Sequence, residues 1–137
     1  MYQLNLSEAY FPSQPGAEYR ERTIEDVLRE QVAQRPETMA LRELVADGTV
    51  GREWTYEQLL ADAERCGRAL DSRHPAGARI AIMGGNCPEW ILVELGAALA
   101  GLTLVTVNPS FTPREVRYVL EQSSTIGRSA APRTLGW

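Results

Sequence analysis

Few residues of this chain have the type and spacing to do chemistry, and they are scattered. The most suggestive stretch is Gly84-Gly85-Asn86-Cys87-Pro88-Glu89, because glycines ahead of a helix start let backbone N–H groups close around a phosphate. The stretch lacks G-x-G-x-x-G spacing and a downstream acidic residue placed for a ribose. The same residues also make a flexible turn, a proline fitted to the first helical turn and a carboxylate at the positive end of the helix dipole. His74 is the only histidine, and its loop, His74-Pro75-Ala76-Gly77, offers it no evident acid–base partner. Cys66 and Cys87 have only His74 as a further soft ligand, so reduced thiols are a simpler reading than a metal site or a disulfide. Glu25-Asp26 in a first helical turn could attract a cation, but dipole complementation accounts for the pair. Tyr56, beside a helix start, either meets a ligand or packs over its own helix end.

All fourteen basic residues are arginine, and lysine is absent. GC-rich codon usage is the simplest cause. The consequence is firm: a Schiff base or a phosphate-binding P-loop lysine cannot come from this polypeptide. The sequence therefore names no catalytic residue, no cofactor-binding residue and no metal ligand.

The elements that would position these groups centre on Arg79 to Pro109. Ile80-Ala81-Ile82-Met83 is an apolar run without alternation, as expected of a parallel strand covered on both faces. A helix is predicted from Pro88 to about Ala100. It is apolar on nearly every side except Glu94, so Trp90, Ile91, Leu92, Val93, Leu95 and Leu99 are expected to be buried between the sheet and other elements. Gly101 suits the left-handed closure of that helix, and Leu102 to Val107 has the β-branched content of a second strand. A helical crossover makes the two strands parallel and the connection right-handed. This is an α/β class.

Before this unit, Thr23 caps an amphipathic helix carrying Ile24, Val27, Leu28 and Val32 and ending at Pro36. Thr38 to Ala46 and Thr49 to Trp54 flank Asp47-Gly48, a hairpin signal. Thr55 with Gln58 forms a capping box for a helix marked by Leu59, Ala63, Cys66 and Leu70. After it, Thr112-Pro113-Arg114-Glu115 repeats the helix-start formula, with Val116, Val119 and Leu120 as the buried face. An α/β alternation then calls for another apolar strand. Ser123 to Trp137 has neither helical nor strand periodicity, and it reads as a disordered tail or an out-of-frame translation.

At 137 residues, 44% hydrophobic and 23% charged, the chain suits one globular domain. A net charge of −4 gives no nucleic-acid footprint. Trp90 to Val107 approaches the length of a membrane span, but Glu94, Gly101 and the lack of a basic flank favour a water-soluble reading. Met1 to Tyr19 lacks the pattern of a secretory signal, so a cytoplasmic location is expected. The organisation expected is an irregular arm over Met1 to Arg22, a domain over Thr23 to Gln122 and a non-native-looking tail over Ser123 to Trp137.

Three stretches carry a family resemblance: Trp54-Thr55-Tyr56-Glu57-Gln58-Leu59, Asn86-Cys87-Pro88-Glu89-Trp90, and Leu99 to Pro109 ending in Asn-Pro. Together they resemble the N-terminal part of an AMP-forming acyl-CoA synthetase of the adenylate-forming superfamily, with Thr106 standing where many relatives have proline. The resemblance implies a partial N-terminal subdomain of that fold, with a parallel βαβ core preceded by a β-hairpin and helices. It implies a parent enzyme that uses ATP and magnesium to turn a carboxylic acid into an acyl-adenylate, then transfers the acyl group to coenzyme A. The family's lysine-containing phosphate loop and its magnesium and ribose motifs lie beyond the matched region, so no catalytic position carries over. A truncated, inactive ligase segment is the leading expectation, with no cofactor for this chain alone. Its expected partner is the missing remainder of the fold or a second copy meeting its exposed apolar surface, with no nucleic acid and no membrane span. The alternatives are a non-catalytic α/β module that binds another chain and a flavodoxin-like nucleotide binder.

Overall fold

The structure, a computed structural model, describes residue 16, residues 20–125 and the backbone of residues 127–130. The expected arm therefore lies outside the described residues apart from Gly16 and residues 20–22, as does the tail from residue 131 onward.

Helix α1 (Ile24–Gln34) starts where Thr23 and Asp26 cap each other's backbone N–H groups. Strands β1 (Met39–Leu44) and β2 (Val50–Thr55) pair antiparallel as the predicted hairpin. Gly48 takes φ +82° at the turn, and Asp47 Oδ1 accepts from the Thr49 backbone N–H at 2.9 Å. Helix α2 (Tyr56–Asp71) opens on the Thr55–Gln58 box and buries Leu59, Ala63, Gly67 and Leu70.

Strand β3 (Arg79–Met83) is the centre of the fold, with Ile80 and Ile82 its fully buried side chains. Helix α3 (Pro88–Leu99) carries the chain to β4 (Thr103–Val107), which pairs with β3 in parallel from Arg79 opposite Thr103 to Met83 opposite Val107. The helix closes as a Schellman turn, with Gly101 at φ +65° and the Leu102 N–H donating to the Ala97 carbonyl at 2.9 Å. Helices α2 and α3 cross at glycines: a Cβ built on Gly96 would lie 2.9 Å from Cys66 Cβ and 3.0 Å from the Gly67 nitrogen. Helix α4 (Pro113–Gln122) begins on the predicted Thr112–Glu115 box and contains no fully buried residue.

Two expectations need correction. A strand does follow α4: β5 (Gly127–Ala130) pairs in parallel with β3, opposite Ile80 to Met83, giving the strand order β4-β3-β5. Parallel pairing uses main-chain groups, which a segment without apolar periodicity still possesses. The second correction concerns α3. Only Pro88, Gly96 and Ala97 are buried on it, while Trp90, Leu92, Val93, Leu95 and Leu99 are half-covered and Ile91 is exposed. The described elements cover this apolar helix only in part. The long apolar stretch is divided between a helix and a strand, and no described helix is long and apolar enough to cross a membrane.

Candidate functional site

The Gly84 to Glu89 turn sits at the C-terminal end of β3, between β3 and the start of α3. The order β4-β3-β5 reverses direction at β3, so this turn occupies the switch point where open α/β sheets bind ligands. A cleft of about 330 Å³ lies beside it, walled by Leu41 and Leu44 of β1 and by Asn86, Cys87, Trp90 and Ile91. Trp90 Nε1 donates to the Gly84 carbonyl at 3.2 Å, which fastens the turn to the first turn of α3.

Charge at this site is organised by Arg52. Its Nε donates to Glu43 Oε2 at 2.9 Å and its Nη2 to Glu43 Oε1 at 3.1 Å, while Nη1 and Nη2 donate to the two Glu89 oxygens at 2.5 and 3.2 Å. One guanidinium thus bridges the hairpin to the N-terminus of α3. Its hydrogen bonds hold both carboxyl groups below their usual range, and the two carboxylates raise the Arg52 pKa in return. The Arg52 guanidinium also lies over the Trp54 ring at 5.5 Å, and Trp54 Nε1 donates to Asp62 Oδ2 at 2.9 Å.

Negative charge is already placed at this turn. Glu89 already complements the helix dipole, Glu43 adds a second negative charge, and the one nearby guanidinium is committed to both. Cys87 at the N-cap makes no side-chain cap hydrogen bond, and burial pushes its thiol up, with the hydrogen bond to Glu89 adding to the effect.

The other candidates lie elsewhere. His74 is half-buried in the loop after α2, where its backbone N–H donates to the Leu70 carbonyl at 3.0 Å. Cys66 packs at the α2–α3 crossing, where burial raises its pKa. Tyr56 lies under the Arg35 guanidinium, 5.2 Å from ring centroid to cation, and packs against Leu28, Trp54 and Leu59. Glu25 pairs with Arg29 at 2.8 Å, and Asp26 serves the cap. Among the described residues, no three His, Cys, Asp or Glu side chains come together to hold a metal ion. The Arg52 bridge escaped the sequence reading because Arg52 and Glu89 are thirty-seven positions apart and no local spacing rule links them.

A β-hairpin and capped helices set around a parallel sheet, with an apolar helix beside the switch point, define an α/β scaffold. The family model described as AMP-binding enzyme matches residues 28–125. An acyl-CoA ligase of Ajellomyces capsulatus is 31% identical over 121 residues, covering 88% of this chain and 20% of the relative. One of Aspergillus fumigatus is 42% identical over 71 residues, or 51% of this chain and 12% of the relative. Among solved structures, a putative long-chain-fatty-acid CoA ligase of Rhodopseudomonas palustris superposes with a TM-score of 0.66 at 33% identity, over 80% of this chain and 26% of that one. The chain belongs to the AMP-binding enzyme family and has the fold of the N-terminal part of adenylate-forming ligases. It spans between 12% and 20% of the length of the two curated relatives.

Proposed function

We propose that this chain is an N-terminal scaffold segment of an acyl-CoA ligase and does not adenylate by itself. The observation carrying this reading is that the matched motifs are all structural. Thr55–Gln58 and Thr112–Glu115 are capping boxes, Asn86 to Trp90 is a helix start tied by Arg52, and Leu99 to Pro109 is a helix closure and a strand. The complete ligase of which such a segment is part would activate a carboxylic acid with ATP and magnesium and pass the acyl group to coenzyme A. The switch point is where the fold would present the reacting groups, but this chain brings carboxylates and no lysine to it. No step of that reaction can be derived through its residues. The partner that completes the scaffold is the remainder of the synthetase fold, and self-association through the uncovered apolar surface is its substitute.

The test is acid-dependent ATP–pyrophosphate exchange by the purified full chain, using medium- and long-chain fatty acids. No exchange above a protein-free control is expected; exchange that depends on added acid would overturn the reading. Binding of ATP or AMP at millimolar concentration without exchange would favour a nucleotide-binding module instead. An out-of-frame origin for the residues beyond the family match, which ends at residue 125, is a separate part of this proposal. Translating the source DNA from codon 115 in all three frames should reveal a frame that continues with an apolar strand and a lysine-containing Ser/Thr/Gly-rich loop. If no frame does so, the tail belongs to the intended product.

A further inference from the structure

Among the described residues, β4 is an edge strand: β3 pairs with one side of it and no strand pairs with the other. The chain leaving β4 passes β3 and pairs on its far side as β5, so a doubly wound sheet of this order grows beyond β5 and leaves β4 outermost. Open edges are usually blunted by charge, proline or a bulge. The hairpin strands carry Arg42, Glu43, Arg52 and Glu53 together with register shifts, and β5 includes Arg128. β4 has none of these devices. Thr103-Leu104-Val105-Thr106-Val107 is uncharged, β-branched everywhere except Leu104, and paired with β3 in unbroken register.

The ladder decides which groups this edge offers. The Thr103 N–H donates to the Ala78 carbonyl at 2.9 Å, on the β3 side. Strand alternation then turns the backbone groups of Val105 and Val107 toward β3, and those of Leu104 and Thr106 away from it. Outward residues placed evenly about Val105 make the edge self-complementary. When β4 lies antiparallel to its own copy, Leu104 stands opposite Thr106 of the second copy and Thr106 opposite its Leu104. Each of these pairs exchanges both N–H···O bonds, and Val105 faces itself across a two-fold axis. With no charged side chain in the strand, no like charges meet across that axis.

We propose that two copies of this chain associate through β4, antiparallel and centred on Val105, so that their sheets join into one. The contact uses main-chain groups, and it is independent of the ligase reading and of the apolar side chains exposed on the hairpin and α3. Five residues a side make an interface below about 1,200 Å², so the dimer dissociates on dilution.

Sedimentation equilibrium and cysteine cross-linking of the full chain test this. Dimer should appear as the concentration rises through the micromolar range. Thr106→Pro removes an outward donor from each copy and leaves the β3 ladder intact, so the dissociation constant should rise at least about tenfold while the circular dichroism is unchanged. Under oxidation Val105→Cys should form a covalent dimer, because a non-hydrogen-bonded antiparallel pair holds its Cα atoms about 4.5 Å apart, within reach of a disulfide. Thr106→Cys, two residues out of register with its copy, should not. The parent chain, with Cys66 and Cys87, gives the background. The cross-link keeps the test decisive if Thr106→Pro does not fold. A monomer at every concentration would overturn the proposal. So would association that Thr106→Pro leaves unchanged, which would place the contact on the exposed apolar side chains, or cross-linking no faster at position 105 than at position 106.

Discussion

Arg52 shows how one side chain can hold two distant parts of the chain in register. Glu43 and Glu89 both have carboxyl groups held below their ordinary value, first by the Arg52 side-chain hydrogen bonds. A folded pKa below the unfolded one contributes stability that is present above the ordinary carboxylate range and is lost as pH falls through the folded value. Arg52→Met keeps an aliphatic side chain and removes the charge. The urea midpoint at about pH 7 should fall, and its further decline toward about pH 3 should be shallower than in the parent chain. Parallel pH profiles for the two proteins would show that the bridge contributes nothing to acid sensitivity. Gly96 makes a separate point about space. Gly96→Ala drives a methyl into Cys66 and the Gly67 backbone and should cost about 1–3 kcal/mol. Gly85→Ala, where an added Cβ meets nothing within 4 Å, should cost no more than about 0.5 kcal/mol. Equal losses in urea denaturation would remove the helix crossing as the reason for glycine at position 96. Neither the bridge nor the crossing could be read in advance, because each depends on distances between residues that the sequence keeps apart. The Thr55 and Thr112 boxes were legible because cap and partner are three residues apart.

At the level of elements, stability is concentrated in β3 and thins toward α4. Ile82 is 0% exposed between β4 and β5, whereas α4 buries none of its residues fully. Ile82→Ala should therefore cost about 3 kcal/mol and Val116→Ala less than about 1 kcal/mol, read from shifts in chemical denaturation. Comparable losses would mean that α4 is as firmly packed as the central strand. The β3–α3–β4 unit was legible because its apolar run, turn, helix and β-branched strand each agree with the others. β5 was not legible, since Gly127 to Ala130 carries none of the side chains that mark a strand and its pairing comes from the open edge of β3. The coverage of α3 was overestimated for a related reason. An apolar circumference states what a helix is suited to contact, while burial depends on how many neighbours are present.

At the scale of the molecule, the exposed apolar residues govern behaviour in solution. Leu44 at 72% exposure, with Val45, Val50, Met83 and Ile91, leaves apolar surface on the hairpin, at the end of β3 and along α3. Exposed apolar surface of this kind is suited to contact with further structure. Under the proposed function, the remainder of a ligase fold is what would meet this surface. The chain by itself should therefore bind an apolar-surface dye in native buffer and unfold with a shallower urea dependence than a self-sufficient domain of its length, because less surface is newly exposed on unfolding. Dye binding should fall if a separately produced remainder of a ligase fold is added and associates, since both report the same surface. A steep transition without dye binding would show that the hairpin and α3 are already covered, and the need for the remainder as a folding partner would then disappear.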